Sequence, residues 1–394
     1  MLYRFQYLSN YFLKRGNMKY ILVFLFAFSA NTYLFSESQV FEANELKKEK
    51  LFSSLEEALR SSEKVYRLNL SNTRLNEVPK EIEKFQNLQE LSLSSNKIEF
   101  IPDEICKLKK LQKINLSYNK LKFLPNCISN LVHLQELNLT ANEMMALPPE
   151  IGSLKMLESL FLFENTLAEI PKEIGKLINL QNLDIRKNRL KELPEQIGEL
   201  KNLQTLNLAS NQITKLPNGF GGLSALRYLD LTSNRLTMLP ESFGSLNNLE
   251  DLNISSNHLG LLPTSFGNLS ELKKLNLDKN SLISIPREVS NLKNLQRVYL
   301  NQNSLDTFPE GFTSLNELQS IELSNNRIST VTDSIGSMLR LQILNLSSNK
   351  ITSLPESIGD LKKLTTFYLK RNPFSKPEQD KIKKLMPNCR IYWD

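Results

Sequence analysis

The segment Leu180–Asn202, LQNLDIRKNRLKELPEQIGELKN, decides how the rest of the chain reads. Leucine or isoleucine stands at its positions 1, 4, 6, 11, 14, 18 and 21, asparagine at position 9 and proline at position 15. The same register runs without insertion or deletion through thirteen consecutive 23-residue units from Val65 to Lys363, and a fourteenth starts at Leu364. Position 1 is leucine in every unit except the first, which has Val65. Position 9 is asparagine from Asn96 to Asn372, with Thr73 the one departure. A period of this length kept over about 300 residues defines a stacked-repeat architecture and overrides the domain count that length alone would imply.

Each recurring position has a physical role. Apolar residues at 4 and 6 alternate with polar neighbours, which makes a short strand with one apolar face. One coil cannot bury that face alone, so successive coils stack and their strands pair in parallel about 4.8 Å apart. Beyond the strand the chain turns inward, and the amide of Asn at position 9 can serve the backbone donors and acceptors that lose sheet partners there. Proline at position 15, present in twelve of the thirteen full units with Thr332 the gap, suits the first residue of a short helical turn. Too few residues separate it from the next leucine for a long helix. The expected fold is therefore an α/β solenoid curved into a horseshoe. A parallel sheet lines its concave face, and extended or 3₁₀ segments form its convex face. Phe220, Phe243, Phe266 and Phe312 replace the usual isoleucine at position 18 and read as a repacked convex core.

An open stack needs end caps. Ser54-Leu-Glu-Glu57 is a capping-box pattern, and it predicts a helix over 53–63 that covers the first strand, preceded by a mobile lead-in from residue 39 to 52. At the other end, 376–385 reads as an amphipathic helix. Cys389, Ile391 and Trp393 then alternate as a strand that seals the last coil, with Trp393 in the core. The expected organisation is a leader over 1–38, lead-in and cap helix over 39–64, repeats over 65–372 and a terminal cap over 373–394.

The leader is read from Lys14, Arg15 and Lys19 before the apolar run Tyr20–Phe28, with small residues Ser36 and Ser38 near a cleavage point. The run is short for a membrane span, so no stable span is expected once it is cut. Met18-Lys19 also reads as a natural start. The formal charge is +7, of which the first 38 residues hold +3. Lysine and glutamate are interspersed in the rest, and with no one-signed stripe in view a nucleic-acid partner is not expected. Cys106, Cys127 and Cys389 fit no zinc spacing. They read as part-buried thiols because Cys106 and Cys127 occupy different places in their repeats; a bond between these two is favoured only in an oxidising compartment.

The phrase Leu-Pro-x-Glu-Ile-Gly-x-Leu-x-Asn-Leu-Gln, as in Leu147–Leu157 and Ile170–Gln181, resembles the Ras-suppressor-like class of 23-residue leucine-rich repeat proteins. The leader, the register and the closing Leu385-Met-Pro-Asn-Cys-Arg-Ile-Tyr392 resemble the exported leucine-rich repeat families of pathogenic spirochaetes. The resemblance implies protein–protein interaction, with host matrix or cell-surface molecules as candidate ligands, and implies no catalytic residue.

Strand residues at positions 3, 5, 7 and 8 should face the concave side. Against a background of Asn, Ser, Thr and Asp, two groups depart. Phe161 and Phe163 read as exposed rings beside Glu164, Asp184, Arg186 and Lys187, with Arg186 next to Phe163. Tyr299 lies near Lys274, Lys279 and Arg297, and Tyr118, Tyr228 and Tyr368 also take inner-face positions. Clustered aromatic and arginine side chains suit a binding hot spot. No nucleophile matches a base: His133 and His258 are six repeats apart, and there is no phosphate loop. The flanks of the repeats are too short for a separate catalytic domain. The reading is a monomeric, exported, non-catalytic protein that binds a protein ligand without a cofactor. An intracellular regulatory scaffold and a structural envelope component are the alternatives.

Overall fold

The computed structural model describes residues 40–393, so the expected leader at 1–38 lies outside the described residues. The chain divides into two units, 1–50 and 51–394. The described part of the first holds one short helix, α1 (Ala43–Leu46).

The second unit is a stack of coils around one parallel sheet, whose strands follow chain order from β1 (Leu51–Phe52) through β2 (Arg67–Asn69) to β15 (Thr366–Tyr368) and β16 (Arg390–Tyr392). Residues 23 apart pair: Leu160 lies opposite Leu183, and Leu183 opposite Leu206. Beneath the sheet the recurring leucines and isoleucines form one continuous core. Each repeat strand is only three residues long, at positions 3–5. Three residues beyond each strand, position 8 has a left-handed backbone in all fourteen repeats, with φ between 52° and 59°. The sequence pattern did not reveal this turn. A non-glycine residue there costs roughly 1–2 kcal/mol. Inter-coil bonds offset that cost, as where Lys187 N–H donates to Ala209 C=O at 2.8 Å.

The position-9 asparagines form the expected column. Asn188 Nδ2 donates to Leu162 C=O (2.9 Å) in the previous coil and to Ile185 C=O (3.0 Å) in its own, while its Oδ1 accepts from Leu167 N–H at 2.9 Å. In the first repeat Thr73 Oγ1 donates to Leu70 C=O at 2.7 Å instead.

The convex face is a row of five-residue 3₁₀ turns, such as Lys172–Lys176 and Glu195–Glu199. Proline is not their first residue, as expected, but the extended residue before it. Pro194 has φ −70° and ψ 150°, and its carbonyl accepts from Ile197 N–H at 3.0 Å. Where Thr332 replaces proline, its hydroxyl accepts from Ser334 N–H and caps the turn. Phe220, Phe243 and Phe266 stack in parallel at 6.1 and 6.2 Å, which bears out the repacked convex core.

The convex turns also correct the cysteine reading. Position 19 of one coil packs on position 17 of the next. A Cβ at Gly198 would sit 1.7 Å from Gly219 O, which is why glycine dominates position 19. Cys106 is at position 19 and Cys127 at position 17, and they form a disulfide across a Cα–Cα distance of 5.8 Å. Different places in the repeat are thus what brings them together. Cys389 alone is a free thiol, and its half-buried site pushes its pKa up to about 11.

Ser54 Oγ accepts from Glu57 N–H at 3.4 Å and starts α2 (Leu55–Leu59), but the helix stops there and Ser62–Lys64 forms a separate 3₁₀ turn. Leu51–Phe52 pairs with β2 as β1 and is not a loose lead-in. At the far end α3 (Lys376–Leu385) is capped by Ser375, Ile391 lies opposite Phe367, and Cys389 and Trp393 pack on the core. Trp393 meets Phe374 edge to face at 5.5 Å.

Candidate binding surface on the concave face

The fifth and sixth repeats place their strands side by side as β6 (Ser159–Phe161) and β7 (Asn182–Asp184). Arg186 Cζ lies 4.5 Å above the centre of the Phe163 ring, and Lys187 Nζ lies 4.9 Å from it. The neighbourhood expected from the repeat register is therefore present. The expected exposure is not: Phe161 and Phe163 are only half-exposed. Both cations over Phe163 are also ion-paired, Arg186 Nε to Asp184 at 3.1 Å and Lys187 Nζ to Glu164 at 3.9 Å. Cation–π contacts and exposed ion pairs each contribute roughly 0–1 kcal/mol. The cluster is thus a set of side chains held in place, presenting guanidinium and ammonium groups rather than bare rings. Burial pushes the Asp184 carboxyl above its ordinary pKa, against the opposing pull of Arg186.

Glu164, Lys187 and Tyr118 share position 8. They project from the turn after the strand, and Tyr118 stands exposed there. The second patch differs from its expected form. In β11 (Lys274–Asn276) Lys274 Nζ bonds Asp251 at 3.2 Å. In β12 (Arg297–Tyr299) Arg297 lies in register with Lys274, and Tyr299 lies between Asn276 and Glu322. Tyr228 begins β9 (Tyr228–Asp230), and its hydroxyl donates to Asp230 at 3.4 Å. Burial, then Asp230 and Asp251, push its pKa up to about 12.

Reading the sequence repeat by repeat missed the acidic side chains of this half. Asp278 and Glu322 are half-buried carboxyls raised by burial; Asn301 and Asn345, respectively, pull them partly back by hydrogen bonding. Reading each position down the repeats as a column would have found them. Also missed was Tyr392, which stacks on Tyr368 at 4.6 Å under Arg390 at 5.0 Å. The inward alternation of Cys389, Ile391 and Trp393 already implies that Arg390 and Tyr392 point outward. Among the described residues, no three His, Cys, Asp or Glu side chains are grouped to hold a metal ion. None of their helices is long and apolar enough to cross a membrane.

Comparison with known proteins agrees with the geometry. The family described as leucine-rich repeat region matches residues 57–160, 150–226, 170–258 and 219–323, and the one described as leucine rich repeat matches 316–374. No curated protein shows significant sequence similarity to the chain. Among solved structures, a Leptospira interrogans leucine-rich repeat protein is 34% identical, with TM-score 0.65, over 87% of this chain and 99% of the other. A plant peptide hormone receptor, solved in complex with its peptide RGF2, is 33% identical with TM-score 0.72; the match covers 83% of this chain but only 54% of the receptor. The Toll–Spatzle complex of Drosophila matches at 25% identity and TM-score 0.69, over 79% of this chain and 48% of the other. An unbroken register, a sixteen-strand parallel sheet and these matches agree: the chain is a member of the leucine-rich repeat family.

Proposed function

We propose that this protein is an exported, non-catalytic binding protein that grips a protein ligand on its concave face, with the Phe163–Arg186–Lys187 cluster at the centre of contact. The observation that carries the reading is the way both cations lie pre-placed over one ring. A ligand then need not order these side chains, a cost of about 0.5–1.5 kcal/mol each. The structural relatives solved with a bound peptide or protein support the same use of the fold. The Cys106–Cys127 disulfide supports export over the intracellular scaffold, because such bonds persist in oxidising compartments. Resemblance to the Ras-suppressor-like class extends to the repeat phrase, and its intracellular setting is the part that this reading sets aside. Within the proposal the leader is cut near Ser38 and the ligand is a matrix or cell-surface protein.

Two experiments test it. Phe161→Ala with Phe163→Ser should leave the circular-dichroism spectrum intact and weaken capture of the ligand, isolated by pull-down with the full chain, at least about tenfold. Unchanged affinity removes the cluster from the site. Protease shaving of intact cells should degrade the protein, whereas a protected cytosolic product overturns export.

A further inference from the structure

Positions 10, 12 and 13 of each repeat run outward along one flank, between the buried residues at 11 and 14. Backbone bonds join this flank from coil to coil: Arg189 N–H donates to Leu167 C=O and Arg235 N–H to Ile213 C=O, both at 2.9 Å, and Ile283 N–H donates to Gly260 C=O at 3.3 Å. Equivalent side chains of neighbouring coils therefore stand side by side. From the sixth to the tenth repeat the cations on this flank are Arg189, Lys191, Lys215 and Arg235, all in the sixth to eighth repeats. All four are exposed, and among the described residues no ion pair engages them. Glu192 is the only carboxylate in the same stretch, and Glu169 and Asp306 mark its two ends. Folding thus gathers on one flank cations that are dispersed in the sequence.

Next to these cations three large aliphatic side chains stand in consecutive coils, from the eighth repeat to the tenth. Met238 is 65% exposed, Leu261 56% and Ile283 58%. Nothing in the coil requires them, since position 13, that of Met238 and Leu261, holds Glu192 and Lys215 in other repeats, and position 12, that of Ile283, holds Lys191 and Asp306. Six coils earlier the same three positions, in the same order, hold Phe100, Phe123 and Met145, exposed 57%, 57% and 56%. Two apolar anchors on one flank, six coils apart at about 4.8 Å per coil, are too far apart for one small ligand. They suit contact with a broad surface. Unpaired cations beside exposed apolar side chains match the chemistry of an anionic bilayer interface, where headgroups attract the charges and acyl chains accept the apolar groups.

We infer that this flank docks the protein on an anionic lipid surface, leaving the concave face free for its ligand. The test is co-sedimentation of the full chain with vesicles of phosphatidylcholine alone, or with phosphatidylglycerol at a ratio of about 7:3. Binding to the anionic vesicles should be at least about tenfold tighter and should weaken as salt rises. Met238→Ser/Leu261→Ser/Ile283→Ser and, separately, Lys215→Gln/Arg235→Gln should each reduce it several-fold with unfolding curves unchanged. The apolar run Tyr20–Phe28 is common to all variants, so the differences read the flank alone. Phe161→Ala/Phe163→Ser should sediment like the parent, which separates this inference from the concave-face reading. Equal binding to both vesicle types overturns it. So does full binding by the aliphatic variant, and so does preferential capture of heparin or DNA by an unaltered flank, which would make the partner a soluble polyanion.

Discussion

Replacing Asn188 by alanine tests the internal hydrogen-bond column that lets the coils stack. Asn188 serves three buried backbone groups. Two of them keep another partner after the change: Leu162 C=O still accepts from Asn165 Nδ2 at 3.1 Å, and Ile185 C=O from Asn211 Nδ2 at 3.0 Å. Leu167 N–H keeps none of its own. An orphaned buried donor costs about 1–3 kcal/mol, and each of the two weakened carbonyls adds up to about 1 kcal/mol, so the expected loss is about 1–5 kcal/mol. Asn372, the last rung, makes the same contacts with Ile351, Leu346 and Leu369 but is only half-buried. Water can replace it, and Asn372→Ala should cost about 1 kcal/mol. Urea unfolding followed by circular dichroism measures both, with equal m-values required because long repeat arrays can lose two-state behaviour. Hydrogen exchange at the Leu167 amide reads the orphaned group directly. A loss below about 1 kcal/mol for Asn188→Ala, with Leu167 protection unchanged, would refute the account of the column.

Three further outcomes are expected. Cys106→Ser/Cys127→Ser should lose about 3 kcal/mol of stability, given a separation of 21 residues in the loop model; dithiothreitol should lower the urea midpoint of the parent and not of the variant. Gly198→Ala, which drives a methyl into Gly219 O, should cost at least about 2 kcal/mol, while Gly260→Ala, with nothing within 4 Å, should stay within about 0.5 kcal/mol of the parent in the same unfolding assay. The carboxyls of Asp278 and Glu322 have raised pKa values in the fold, so their stabilising contribution is present below the ordinary carboxylate pKa and is lost as pH rises through the folded values. Asp278→Asn/Glu322→Gln should therefore unfold at a higher midpoint than the parent at pH 7 and match it near pH 3; a variant less stable at pH 7 would contradict the burial cause.

Much of the concave site was legible because register sets which residues adjoin. Phe163 and Arg186 stand 23 residues apart, and their side chains meet. The ion pairs that occupy Arg186 and Lys187 were not legible. They depend on side-chain reach within the turn at position 8, where the chain leaves the strand. The half-buried carboxyls at Asp278 and Glu322 escaped for a related reason: a strand pattern marks which way a residue points, but the crowding of neighbouring coils decides how much water reaches it.

The sequence by itself determined the repeat length, the parallel register, the asparagine column and the positions of both caps. All of these follow from hydrophobic period and from the backbone groups that a buried turn must satisfy. Only the tertiary structure decided how columns at different positions meet. The offset between coils sets position 19 of one against position 17 of the next, so that Cys106 reaches Cys127. It also brings scattered lysines and arginines into one flank. A periodic pattern specifies the contents of each column, whereas the path of the backbone around the coil specifies which columns are neighbours.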